Sequence, residues 1–300
     1  MLKKTGLISL LSALLLASPA AMAATSPGLG LASTFGILAS TYTNTSGGTT
    51  INGDLGYTTG PATAPTVNGS THAADGTYTQ AGIDQGTALS ALASQPCTFT
   101  FAAGAIDLAS DTTHGTVGVY TPGVYCISGA ASIGGGGTVT LNGAGAYIFR
   151  MTGALTTSAN SIVTLANGAS ACDIWWTPNA ATTLGATSTF KGTDVDASGI
   201  TIGSTVGWVG RALAFGGTVS TAADTITAPT SCTTTTPGGS TPGGTTPGSA
   251  TGGPTTPGLP DTGGGPLGQN IPWWSVPAAV LVALSAFYVI RKERQTTSDR

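Results

Sequence analysis

Asp194 and Asp196 stand two residues apart, with Lys191 or Arg211 nearby. Alternate residues of a strand share a face, and clustered carboxylates do the chemistry of many polysaccharide-cleaving β-helices. The segment Lys191-Gly192-Thr193-Asp194 also reads as a turn, which removes the pair from any strand face, and the turn is the reading taken here. His72 and His114 lie in polar segments with no second ligand-type residue at metal spacing, so both read as solvated. The glycine run 134–137 lacks the Lys-Ser/Thr ending of a phosphate loop, and no helical pattern follows it. It reads as a tight turn. These residues leave no catalytic group, no metal site and no cofactor site, and the chain is expected not to be an enzyme.

The four cysteines, Cys97, Cys126, Cys172 and Cys232, contain no CxxC pair, which argues against zinc and for disulfides. Three pairings are open to four cysteines. Cys97–Cys126 with Cys172–Cys232 is preferred because Cys232 closes the ordered part of the chain, and the others stay open.

The remaining chemistry is that of hydroxyls. Between 181 and 227 short Thr-, Val- and Ile-rich runs are broken at Gly or Asp every few residues. Leu184 and Ile202 are 18 residues apart, and Phe190 and Val209 are 19 apart. A recurrence near 20 residues is the signature of a solenoid whose turns share one core. The expected architecture is a parallel β-solenoid with a flat, Thr-rich face. Leu184, Phe190, Ile202, Val209 and Ile226 form its apolar column. Outward positions are then Thr183, Thr187, Thr189, Thr201, Thr205, Thr221, Thr225 and Thr227, with Thr49, Thr50, Thr157 and Thr164 as extensions.

Composition supports this. Only 7% of the 300 residues are charged, against about 25% in an average globular protein. From 25 to 232 there are three cations, Arg150, Lys191 and Arg211, against nine Asp and no Glu. That balance excludes a nucleic-acid footprint and disfavours anionic membranes.

Around this region the chain divides cleanly. Residues 1–23 carry Lys3 and Lys4, a short apolar run and Ala21-Met22-Ala23, the layout of a secretory signal peptide. Tyr78, Ala81, Ala88, Leu89 and Leu92 fall at loosely helical spacing within 73–92. Gly76, Gly82 and Gly86 weaken that helix by about 1 kcal/mol each, so it needs the side of the solenoid to dock on. Residues 25–232 make the folded domain. Residues 233–258, almost all Thr, Pro, Gly and Ser, make an extended linker. Residues 259–300 follow, with an apolar segment at 271–290 expected to form a transmembrane helix and a basic tail behind it.

Leu259-Pro260-Asp261-Thr262-Gly263 together with that segment and tail resembles the LPxTG wall-sorting signal of Gram-positive surface proteins. The resemblance implies a sorting transpeptidase as partner, cleavage after Thr262, and a secreted protein held at the cell surface. The membrane is then met only through the C-terminal segment. The blocks LASTFGILAS from Leu31, TTINGDLG from Thr49, TPGVYCI from Thr121, GAYIFRM from Gly145, NGASACDIWW from Asn167, ATSTFKGT from Ala186 and VGRALAFGGTVSTAADTIT from Val209 carry a second resemblance. Together they look like the ice-binding-like domain of microbial ice-binding and antifreeze proteins. The resemblance implies a right-handed, discontinuous β-solenoid of triangular section with one long helix alongside. It also implies non-catalytic contact with ice through the Thr-rich face. A glycan-binding adhesin or structural solenoid is the alternative, and a polysaccharide-degrading β-helix enzyme is the more remote one.

Overall fold

The computed structural model describes residues 23–232. In chain order the strands are β1 (Phe35–Asn44), β2 (Thr50–Asn52), β3 (Asp54–Tyr57), β4 (Thr66–Val67), β5 (Thr71–Ala73), β6 (Phe99–Thr100), β7 (Ile106–Asp107), β8 (Val119–Tyr120), β9 (Gly123–Ile127), β10 (Ala131–Ile133), β11 (Thr138–Asn142), β12 (Tyr147–Thr157), β13 (Ile162–Ala166), β14 (Ile174–Leu184), β15 (Thr189–Val195), β16 (Ile200–Ile202), β17 (Gly207–Thr221) and β18 (Thr225–Thr227). A single helix, α1 (Gly76–Ala93), stands between β5 and β6.

The strands stack in parallel and wind as a solenoid with three faces. Face I stacks β6, β9, the first half of β12, the first half of β14, β15, the middle of β17, the start of β1, β3 and β5. Face II stacks β7, β10 and the ends of β12 and β14, followed by β16 and the ends of β17 and β1. Face III stacks β8, β11, β13, the start of β15, the start of β17, β18, β2 and β4. The stack is discontinuous in sequence, because the N-terminal coil of β1 and β2 follows directly on the C-terminal coil of β17 and β18. From β5 to β6 there are eight inter-strand steps, about 38 Å at 4.7–4.9 Å each. The helix, about 27 Å long at 1.5 Å per residue, carries the chain most of the way back.

Alternation along each strand sends one side chain into the solenoid and the next out. Inside, Tyr125, Phe149, Trp176, Phe190 and Trp208 stack with successive ring centroids 5.1, 4.4, 5.2 and 5.1 Å apart. On face I the outward residues are apolar too. Leu38, Val124, Ile148, Trp175, Val195 and Leu213 are buried against Tyr78, Ala81, Ala88 and Leu92 of α1. The helix begins at 76 rather than 73, because β5 takes 71–73 and the Asp75 carboxylate accepts from the Tyr78 N–H at 2.8 Å as N-cap. At Gly82 a Cβ would overlap the Phe215 ring, so that glycine sets how closely α1 sits on face I. Arg150 closes the other end, donating to the carbonyls of Ala93 and Gln95 beyond the last helical turn.

Buried carboxylates hold the corners. Asp196 accepts from the N–H groups of Thr182 (2.8 Å) and Ser198 (2.7 Å) between faces I and II. Asp224 does the same with Val206 (2.8 Å) and Ala222 (2.6 Å) between faces II and III. Disulfides join Cys97 to Cys126 and Cys172 to Cys232. The glycine run 134–137 is a turn closed by the Gly137 N–H on the Gly134 carbonyl at 2.7 Å.

Three expectations are corrected. Residues 191–194 run as part of strand β15 in register with β17, not as a turn. Phe190 lies opposite Trp208, not Val209, so Trp208 fills the core and Val209 faces outward. A one-residue slip of register exchanges the faces of a strand. The expectation of a transmembrane helix is also overturned: among the described residues no helix is long and apolar enough to cross a membrane. The segment 271–290, the motif 259–263, the linker 233–258 and residues 1–22 lie outside the described residues.

Candidate functional site

The carboxylates that suggested enzyme chemistry are out of reach of any substrate. Asp194 is fully buried on the core side of face I, opposite Trp176 and Ala212, and neither of its oxygens has a hydrogen-bond partner. Burial pushes its carboxyl well above the usual range, with the Asp196 charge adding to the rise. Asp196 is raised too, chiefly by burial, but its oxygens are occupied by backbone donors. The histidines are paired, not solvated: His72 Nδ1 meets Asp75 at 2.8 Å, and His114 Nδ1 meets Asp111 at 2.7 Å. His114 lies buried and stacks on Tyr120 with centroids 4.0 Å apart. No cluster of metal-type ligands occurs among the described residues.

Face II offers a different kind of site. Its outward side chains form one ladder in register: Asp107, Ser132, Thr156, Thr183, Thr201, Ser220 and Thr43. Thr156, Thr183 and Thr201 at the centre are exposed, while Ser132, Ser220 and Thr43 are half-buried. The six hydroxyls occupy five successive steps, about 24 Å of ladder. Asp107, at one end, has its carboxylate taken up by the N–H groups of Ala109 and Gly134 and the Ser110 hydroxyl. At the other end Thr43 Oγ1 donates to Ser220 Oγ at 2.7 Å, joining the first coil to the last. Inward neighbours Leu155, Leu184, Ile200, Ile202 and Val219 are buried and back the ladder from beneath. Beside the column Ala154 pairs with Ala180, with a register shift on either side of that pair.

The sequence-derived candidates scatter over the solenoid. Thr183 and Thr201 stand on face II, and Thr189, Thr225 and Thr227 on face III, with Thr50 and Thr164. Thr187 and Thr205 are exposed in the turns between faces II and III, at φ of 58° and 59°. Thr221 is corrected: it points inward, 1% exposed, level with Ile202 and hydrogen-bonded to the Tyr42 hydroxyl at 2.8 Å. Thr49 and Thr157 are likewise buried. Thr43, Ser132, Thr156 and Ser220 were missed. Successive members at 156, 183, 201 and 220 are 27, 18 and 19 residues apart, so no single period finds them. The signal available was local alternation, as in Leu155-Thr156-Thr157 against Thr182-Thr183-Leu184.

The three cations of the domain sit elsewhere. Arg150 holds the helix end, Lys191 is half-buried on face III, and Arg211 is buried with its Nε on the Ser33 carbonyl and its Nη2 on that of Pro229. Burial pulls the Arg211 guanidinium down to about 10, which leaves it charged at neutral pH.

The sequence pattern of the "Ice-binding-like" family matches residues 37–227. An "Ice-binding protein" of Nostoc sp. (strain HG1) is 34% identical over 203 residues, covering 64% of this chain and 70% of that protein. Among solved structures, the ice-binding protein of the Antarctic ascomycete Antarctomyces psychrotrophicus is similar with TM-score 0.59 and 30% identity, over 69% of this chain and all of that one (100%). One from an Antarctic biological consortium is similar with TM-score 0.61 and 27% identity, over 69% and 92% of the two chains.

Proposed function

The chain belongs to the ice-binding-like family, and on that premise we propose that it binds ice without catalysis, through face II. The observation that carries this reading is the unbroken hydroxyl ladder of face II with none of the domain's three cations on it. A threonine presents one hydroxyl and one methyl in a stiff χ1 rotamer. Repeated at fixed spacing on a sheet backed by a packed core, such groups hold a layer of water in a regular array before contact. Docking onto a crystal plane then requires little further ordering, the general advantage of a preorganised surface. A charged side chain would bind water around itself and stand proud of the sheet.

The same reading places the domain outside the cell. Two disulfides suit an oxidising compartment. The start of the sequence supports export, and the pentapeptide from Leu259 to Gly263 supports joining of Thr262 to the envelope by a sorting transpeptidase.

Ice recrystallisation in the presence of the full chain tests the main reading. Crystal coarsening should slow at low protein concentration, and an unchanged coarsening rate removes the proposal. Attachment is tested separately by mass spectrometry of envelope digests. Peptides ending at Thr262 are expected; intact tails 263–300 in most molecules would refute the attachment.

A further inference from the structure

Both ends of the described chain meet at the edge between faces III and I. The Thr25 N–H donates to Gln95 Oε1 at 2.8 Å, and the Ser26 hydroxyl donates to Asp173 Oδ1 at 2.7 Å. Cys232 is bonded to Cys172, which lies in the turn between β13 on face III and β14 on face I. In a three-sided coil this edge lies across the section from face II.

The chain reaches that edge from a vulnerable place. The strand before the exit, β18, has three residues and lies between β17 and β2, at the seam where the last coil meets the first. Among the described residues no disulfide crosses the seam. On face II it is held by the β1–β17 register and by the bonds Thr43–Ser220 and Tyr42–Thr221. Tension entering through the tail would pull first on β18, draw Ile226 from the core and open the seam beneath one end of the hydroxyl ladder.

Three contacts stand in the way. The Ala228 N–H donates to the Asn52 carbonyl at 2.9 Å, Arg211 Nη2 donates to the Pro229 carbonyl at 2.8 Å, and the disulfide fastens Cys232. The disulfide encloses β14 to β18 in a covalent loop, and the loop includes Thr183, Thr201 and Ser220 of face II.

We propose that the Cys172–Cys232 bond is a strap: it passes tension from the C-terminal tail directly to the β14 coil and shields the seam between the last and first coils. The inference rests on the reading above, in which the tail is the tether and face II is the surface that holds. Its physical core, that tail tension bypasses β18, stands or falls without ice.

Single-molecule pulling of the full chain tests it, with one handle at the C-terminus and the other at position 183, introduced without a new cysteine. The strapped protein should show no early extension. The double variant Cys172→Ala/Cys232→Ala should show an opening step at lower force, releasing up to about 170 Å as residues 183–232 straighten. Equal opening forces and equal extensions in the two proteins would overturn the strap. If the double variant does not fold, the parent alone decides. With the C-terminal handle moved to Ala24, an end that no disulfide fastens, it should open at lower force than when pulled from the tail, and equal forces refute the proposal. Ice recrystallisation by the parent chain without handles is measured beside it. A protein that opens as expected but does not inhibit recrystallisation keeps the strap and loses the ice reading.

Discussion

Faces II and III are both threonine-rich sheets of the same solenoid, and they differ in continuity. Down face III the outward column runs Thr66, Thr50, Thr225, Gly207, Thr189, Ile162 and Thr138. Gly207 leaves a gap and Ile162 stands 41% exposed. In the adjacent column Lys191 and Val209 pair beside Thr227. Face II has a hydroxyl at six consecutive levels and none of these interruptions. Threonine content is therefore a poor guide to the site. An array that orders water needs an unbroken register, and one ammonium or one missing side chain spoils its neighbours as well as itself.

The sharpest way to break the comparison is to place a charge on each face in turn. Thr201→Lys, at the centre of face II, should reduce recrystallisation inhibition several-fold. Melting should move little, since exposed substitutions usually change stability by less than about 0.5 kcal/mol. Thr79→Lys, exposed on α1, is the control and should retain full activity. If Thr201→Lys keeps parental activity while folded, face II is not the contact surface.

A substitution that touches neither face should separate stability from activity. Asp194 is buried with its carboxyl raised. Its contribution is complete below the unfolded value of 3.8 and is lost as pH climbs toward the raised folded value. Asp224, pushed up to about 6 by burial, adds a loss of stability between about pH 4 and 6. Asp194→Asn should thus melt above the parent at pH 8, by an amount that shrinks as pH falls toward 4, with ice activity unchanged. A constant difference across that range would contradict the assignment.

Thr225→Lys and Thr189→Lys on face III should cost less activity than Thr201→Lys. Losses as large as those on face II would erase the distinction between the faces. The smallest effect belongs to Lys191→Thr, which removes the one cation on face III. Melting should stay within about 0.5 kcal/mol of the parent, and activity should not fall. A marked loss of recrystallisation inhibition would show that Lys191 contributes to contact.

Much of this organisation is local and was legible in the residues. The parallel solenoid follows from β-branched runs alternating in and out and broken at glycines. The helix follows from Tyr78, Ala81, Ala88 and Leu92, and it was expected to need a docking surface, which Leu38, Trp175 and Leu213 provide. The scarcity of charge told of extended stacks with little need for polar surface.

What the residues alone could not settle was which threonines share a face. Coil lengths vary, so a constant period places Val209 where Trp208 belongs and turns Thr221 outward when it is buried. Membership of a face is set by hydrogen-bond register between neighbouring coils, and a slip of one residue exchanges inside for outside. The far end of the face II ladder depends on a contact still less local. Thr43 reaches Ser220 across 177 residues of sequence, because α1 returns the chain to the opposite end of the stack and leaves the first coil to close against the last. Local alternation determines that each coil has an inner and an outer side; only the stacking of coils decides which outer sides line up.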